Sequence, residues 1–174
     1  MPLFRETGIV EDVWTRLADD QPVPADGPVL VGFARWREAR AALLACRGPV
    51  GVALANTDPV ETLASAVARL DLVSLHFPKF SDGRAYSQAR LLRGRMGYGG
   101  ELRATGNVLR DQLPFMVRCG FDSFESEQKG FADALAGART LFSVVYQPAE
   151  DGRTPVSVLR RGHRVSPELQ RQRQ

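Results

Sequence analysis

A chain of 174 residues, 44% hydrophobic and 25% charged, has the size and composition of one folded domain that buries about 70% of the surface its unfolded form would expose. Its two cysteines, Cys46 and Cys119, are far apart and in no CxxC or metal-ligand spacing, which argues against a disulfide framework, a typical zinc site and an iron–sulfur cluster and leaves buried free thiols as the expectation. The net charge of +3 conceals 21 arginines against 2 lysines, a bias that fits genomic base composition better than nucleic-acid binding.

Residues 1–27 read as an N-terminal extension and linker, with Gly8–Trp14 as a strand or hairpin arm and Asp19–Gly27 as a turn-rich connection. A repeated β-α pattern then occupies residues 28–147. Val29–Phe33 is a continuous apolar run read as a buried strand, followed by a helix over Trp36–Cys46 with Ala39, Leu43 and Cys46 inward and Gly48 past its end. Val50–Ala55 is the second strand. Thr57 or Asp58 caps a helix that begins at Pro59, with Leu63, Val67 and Leu70 as its inner stripe. The third unit is Leu72–Phe77, a loop over Pro78–Gly83, and a helix over Arg84–Met96 whose Ala85, Ala89, Leu92 and Met96 share one face. Glu101–Thr105 is the fourth strand. In the helix expected over Val108–Cys119, Pro114 removes a backbone bond and must kink the helix or delay its start. A fifth unit follows at Phe121–Phe124 and Glu127–Phe142. Over Glu150–Gln174 six arginines stand against three acids, so residues 148–174 are expected to form a flexible arginine-rich tail.

These units imply an α/β fold with a parallel sheet of about five strands, either an open doubly wound sheet or a partial (β/α) barrel. Both gather the loops after the strands at the carboxyl edge. There Lys79, Ser81, Asp82, Arg84 and Asn107 make a candidate anion-binding site: the Asp-Gly turn delivers Arg84 to a helix start, and arginine grips an oxyanion through two parallel hydrogen bonds. The competing reading makes Asp82 a helix cap within a structural ion network with Arg84 and Arg103. His76, directly after an apolar strand, reads as a core histidine rather than a general base. Arg90, Leu91 and Arg93 fall away from the core stripe and are candidates for contact with a partner. Leu91, Phe115 and Tyr146 are candidates for covering exposed sheet edges in a homo-oligomer. The sequence holds no Gly-rich phosphate fingerprint, no Ser-His-Asp grouping and no metal-ligand cluster. No apolar run approaches the roughly 20 residues of a membrane span, and no signal-peptide pattern opens the chain. A cytoplasmic protein with neither a membrane nor a nucleic-acid partner is the expectation.

Three segments carry a family likeness: FPKFSDGRAYSQARLLR (Phe77–Arg93), GELRATGNVLRDQL (Gly100–Leu113) and RCGFDSFE (Arg118–Glu125). Through them the chain resembles the bacterial family known as domain of unknown function 934, over most of its length up to about Gln147. Members are commonly encoded beside assimilatory sulfite reductase and are often labelled probable oxidoreductases of sulfite reduction. The resemblance therefore implies a role in sulfur assimilation. Six-electron reduction of sulfite needs a redox cofactor, which two isolated cysteines and a missing Rossmann fingerprint do not provide for. The expected role is that of an accessory partner of sulfite reductase or its electron supply, without a cofactor of its own. The alternative is a small enzyme or binding protein acting on an anionic metabolite at the carboxyl edge of the sheet.

Overall fold

Apolar runs suit buried strands, and Val29–Gly32, Val50–Leu54 and Leu72–Phe77 take that role in the computed structural model, which describes residues 1–162. The strands are β1 (Leu3–Arg5), β2 (Gly8–Val10), β3 (Thr15–Leu17), β4 (Val29–Gly32), β5 (Val50–Leu54), β6 (Leu72–Phe77), β7 (Glu101–Gly106) and β8 (Ser123–Glu125). They form one sheet in the order β2-β1-β8-β7-β6-β5-β4-β3. Every neighbouring pair from β3 to β8 is parallel, while β1 runs antiparallel to β8 and closes a hairpin with β2. The sheet curls into a half-barrel, so that Arg16 on β3 reaches Glu125 on β8 and Asp12 reaches Arg103 on β7. Spatial order follows chain order from β3 to β8 with no reversal, which makes this the partial-barrel alternative rather than a doubly wound sheet.

The sheet has eight strands rather than about five. The difference comes chiefly from the first 17 residues, expected as an extension and linker, which contribute three strands of three residues each. β2 lies within the strand or hairpin arm expected over Gly8–Trp14, while β1 and β3 are too short to show a period; β1 is held between β2 and β8, and β3 on the edge of β4.

Five α-helices accompany the sheet: α1 (Phe33–Ala45), α2 (Arg84–Arg90), α3 (Leu113–Arg118), α4 (Phe131–Ala138) and α5 (Val156–Gly162). The helix expected at Pro59 is replaced by two 3₁₀ turns, Val60–Leu63 and Val67–Arg69, which still bury Leu63 and Val67. Pro114 delays its helix: a 3₁₀ turn at Arg110–Gln112 comes first, and the proline then sits in the opening turn of α3, where its missing N–H costs nothing. α2 passes into a π-helical turn, Leu91–Arg95, with the Met96 N–H bonded to the Leu91 carbonyl at 3.0 Å. α4 is shorter than the expected Glu127–Phe142, and Ser143–Tyr146 is neither helix nor strand.

The expected loose tail is packed over its first part. The Glu150 N–H donates to the Arg118 carbonyl at 3.0 Å, Arg118 Nε pairs with Asp151 at 3.1 Å, and the Val156 N–H donates to the Val145 carbonyl at 2.9 Å. Residues 163–174, the remainder of that expectation, lie outside the described residues. No helix among the described residues is long and apolar enough to cross a membrane.

Alternation along the strands divides the side chains between two faces. Val29, Val52, Leu75, Phe77, Leu102 and Phe124 pack under the helices and are all essentially buried. The register places Leu72, Ser74 and His76 beside Glu101, Arg103 and Thr105 on the concave face. Gly51 is also there, and its missing side chain is explained by crowding: a Cβ would stand 3.0 Å from Leu72 Cβ and 3.1 Å from Trp14 Cζ3. The half-buried Trp14 thus lies across the concave face where that side chain would have been.

Candidate functional site

The carboxyl edge is shaped by the turns that leave β5, β6 and β7. The β5 turn is closed by the Asp58 N–H on the Ala55 carbonyl at 3.0 Å and by Asp58 Oδ2, which accepts from the Ala55 N–H at 2.7 Å. Gln88 on α2 locks this turn from below, donating through Nε2 to the carbonyls of Ala55 and Asp58, each at 2.9 Å. Two buried polar atoms beside it have no hydrogen-bond partner among the described residues, Asn56 Nδ2 and Gln88 Oε1. Gly106 has φ +87° and turns the chain where a Cβ would strike the Phe77 carbonyl oxygen at 2.4 Å and the His76 ring at 2.6 Å. Only glycine is tolerated in that conformation and that space.

The candidate anion-binding residues divide into a pair and three separate groups. Asp82 and Arg84 form a bidentate pair, Nε to Oδ1 at 3.0 Å and Nη2 to Oδ2 at 2.7 Å. The Arg84 guanidinium holds the Asp82 carboxyl well below the ordinary carboxylate range, and Asp82 in turn raises the pKa of Arg84. The Asn56 side chain lies close enough to lower Asp82 further, although Nδ2 falls short of hydrogen-bond geometry. Arg84 is nevertheless 57% exposed, and its Nη1 has no partner among the described residues. Lys79 and Ser81 are exposed on the same turn, where the Asp82 N–H donates to the Lys79 carbonyl at 3.0 Å. Asn107 is exposed on the next loop, tied through its backbone N–H to the Phe77 carbonyl at 2.8 Å. No side-chain hydrogen bond joins Lys79, Ser81 or Asn107 to Arg84 within the described residues. His76 is exposed rather than a core histidine, with Nδ1 3.5 Å from Thr105 Oγ1.

The concave face holds a second constellation. Arg103 is completely buried and binds Asp12 at 2.9 Å, Glu101 at 3.0 Å and Glu125 at 3.4 Å. Ser123 Oγ donates to Glu101 at 2.6 Å, Arg5 pairs with Glu101, and Arg16 pairs with Glu125. Burial works against the Arg103 charge, but the bond to Asp12 and the attraction of Glu101 and Asp12 outweigh it, so its pKa stands above the ordinary value. Three arginines and three acids are matched, and each of the six has a partner. The structural network expected from Asp82, Arg84 and Arg103 is therefore two separate arrangements: a pair with an exposed arginine, and a cluster buried at Arg103 and open at its rim, where Arg5 and Arg16 are about half exposed.

The partner-binding candidates fare unequally. Arg90 is exposed at the end of α2. Leu91 is half-buried and packed on the core instead of exposed. Arg93 is consumed inside the molecule: its guanidinium donates to the carbonyls of Gly120 at 3.0 Å, Gly100 at 2.9 Å and Tyr98, pairs with Asp122, and lies 5.3 Å from the Tyr98 ring centre. That side chain clamps the turn before β7 and is not a docking group. Cys119 is a buried free thiol whose pKa burial pushes up to about 11; Cys46 is a half-buried free thiol with Sγ 3.2 Å from the Pro24 carbonyl. Among the described residues no three His, Cys, Asp or Glu side chains gather as a metal site.

Residues 51–157, from β5 to the first turn of α5, match the family model described as bacterial protein of unknown function (DUF934). The chain belongs to that family. The match takes in every carboxyl-edge residue of this DUF934 protein named above, whereas β1 to β4 and their connections, which supply Asp12 and the two arginines Arg5 and Arg16, precede it. No curated protein matches the chain. Gln88 and Trp14 were not singled out by sequence reading. A glutamine inside a helix and a tryptophan in a short linker carry no signal of their own, and only the turn and the glycine they pack against show what they do.

Proposed function

We propose that this DUF934 chain is a cytoplasmic accessory protein of assimilatory sulfite reduction, without a redox cofactor of its own, that docks on sulfite reductase or its electron supply. The pathway rests on the family resemblance of the three motif segments. The mode of action is supported by one observation: the charged groups of the concave face pair with one another around a fully buried Arg103, whereas Arg90 stands exposed with no side-chain partner among the described residues and Arg84 is exposed in its pair with Asp82. A matched, buried network is a structural core; exposed arginines offer an acidic partner a surface on which complementary charge speeds encounter more than it adds affinity. Deletion of the gene should create a requirement for sulfide or cysteine on sulfate medium, and Arg90→Glu should weaken complementation without altering the circular dichroism spectrum. Normal growth of the deletion strain on sulfate removes the pathway reading.

A second reading, an enzyme or binding protein for a small anionic metabolite at the carboxyl edge, is favoured by the half-open Arg84 beside the partnerless Asn56 amide. Titration calorimetry with sulfite, sulfate and phosphate decides it. Heat that saturates and is lost in Arg84→Ala supports this reading, and none at millimolar anion removes it.

A further inference from the structure

Large apolar side chains left in water one at a time are ordinary on any protein, but a contiguous group of them marks a contact surface. Eleven large apolar residues are exposed among those described, and six of the eleven lie in one short stretch: Leu141, Phe142, Val144, Tyr146, Val158 and Leu159. Tyr146, at 77% exposure, is the most open of all. The stretch is folded back on itself. Arg153 donates to the carbonyls of Phe142 at 2.6 Å and Ser143 at 3.0 Å, and the Val156 N–H at the head of α5 meets the Val145 carbonyl at 2.9 Å. Val145 is buried beneath, so its neighbours Val144 and Tyr146 are turned outward beside α5, and the chain holds these side chains in place rather than leaving them on a loose end.

We infer that this arm is the seat of a two-fold homodimer, the apolar side chains from residue 141 to residue 159 of one chain lying against the same residues of a second copy. Two properties select a second copy as the occupant. The first is charge. Glu150, between Tyr146 and Val158 in the chain and with its carboxylate toward Gly94, and Arg160, next to Leu159, are both exposed, carry opposite signs and make no side-chain hydrogen bond or ion pair among the described residues. A two-fold contact sets a patch against itself, so its rim must supply both signs for the pairs that cross the axis. The second is size. Six large apolar side chains at half to three-quarters exposure present on the order of 600 Å² per chain, so two facing copies remove roughly 1,200 Å², the lower end of specific interfaces. Of the residues expected to mediate self-association, Tyr146 lies in this surface. Leu91 does not, since it packs inward.

Sedimentation velocity on the full chain at tens of micromolar tests the inference. The expected species has twice the 19.1 kDa chain mass. The double variant Val144→Asp, Leu159→Asp should sediment as a single chain with an unchanged circular dichroism spectrum. Charge reversal gives a second readout that does not depend on that variant folding: Glu150→Arg and Arg160→Glu should each weaken the dimer by tenfold or more, and the two together should restore it. A single-chain mass for the unmodified protein at 100 μM overturns the inference, and so does a dimer that survives the double aspartate variant or is indifferent to both charge reversals. None of these results bears on the growth phenotype, so the dimer and the pathway reading stand or fall separately.

Discussion

Arg103 and Arg84 are both paired with carboxylates, and their surroundings give the two pairings opposite consequences. Arg103 has no exposed surface and is held by Asp12, Glu101 and Glu125; Arg84 is 57% exposed and held by Asp82 alone. A buried charge is tolerable only while all its partners remain, whereas an exposed pair competes with water on nearly equal terms and is free to exchange partners. The concave face is thus where removal of one group should damage the fold, and the carboxyl edge is where removal of one group should leave it nearly intact.

The largest effect that sharpens this contrast is expected from Arg103→Leu. The substitution removes the buried charge that joins Asp12, Glu101 and Glu125, leaving Glu101 to Arg5 and Ser123 and Glu125 to Arg16, and should cost about 3 kcal/mol, read as a lower urea midpoint. A loss below about 1 kcal/mol would mean that the network is wetter than its burial implies and would erase the distinction from Arg84.

A smaller effect is expected from a group that is buried without being paired. Burial pushes the Cys119 thiol up to about 11 from an ordinary value near 9. The folded state keeps its proton where the unfolded chain releases it. Its contribution is therefore complete below the ordinary thiol range and is lost as pH rises toward 11. Unfolding midpoints should fall between pH 9 and pH 11, and Cys119→Ala should flatten part of that slope. At pH 8 a thiol reagent should modify Cys46 in the native protein and Cys119 only after denaturant is added; equal rates at the two would place Cys119 outside the core.

The smallest expected change in stability is at Arg84. Arg84→Ala removes a pair whose arginine is more than half exposed and should hardly move the unfolding midpoint, so any effect it has on growth or ligand binding is separable from folding. A drop comparable to that of Arg103→Leu would show that the carboxyl edge is structural as well.

How much of this was legible in the sequence depended on the length of each segment and on whether an isolated residue type has one meaning. Val29–Gly32, Val50–Leu54 and Leu72–Phe77 were readable as largely apolar runs, and Glu101–Gly106, where Leu102 and Ala104 alternate with Glu101, Arg103 and Thr105, from its place in the β-α rhythm. Pro114 was readable because its chemistry allows only a kink or a late start. LFR and TRL were not, since three residues carry no period, and GIV only as part of the strand or hairpin arm expected over Gly8–Trp14; with them went the eight-strand count and the source of Arg5 and Arg16. At the site, the Asp82–Gly83 turn and the closeness of Arg84 followed from local spacing. The opposite fates of Arg90 and Arg93 did not: an arginine bonded to three carbonyls and an arginine in water are spelled alike, and a π turn that shifts the helix face leaves no mark in composition.

The central claim is that this protein works through its outer surface, on a partner, around an interior that serves the fold. Biolayer interferometry on the immobilised chain, offered in turn purified sulfite reductase and its purified electron donor, tests it most directly. Saturable binding to one of them, weakened by raising salt from 50 to 300 mM and by Arg90→Glu, is the predicted result. No binding to either protein at any salt concentration would contradict it.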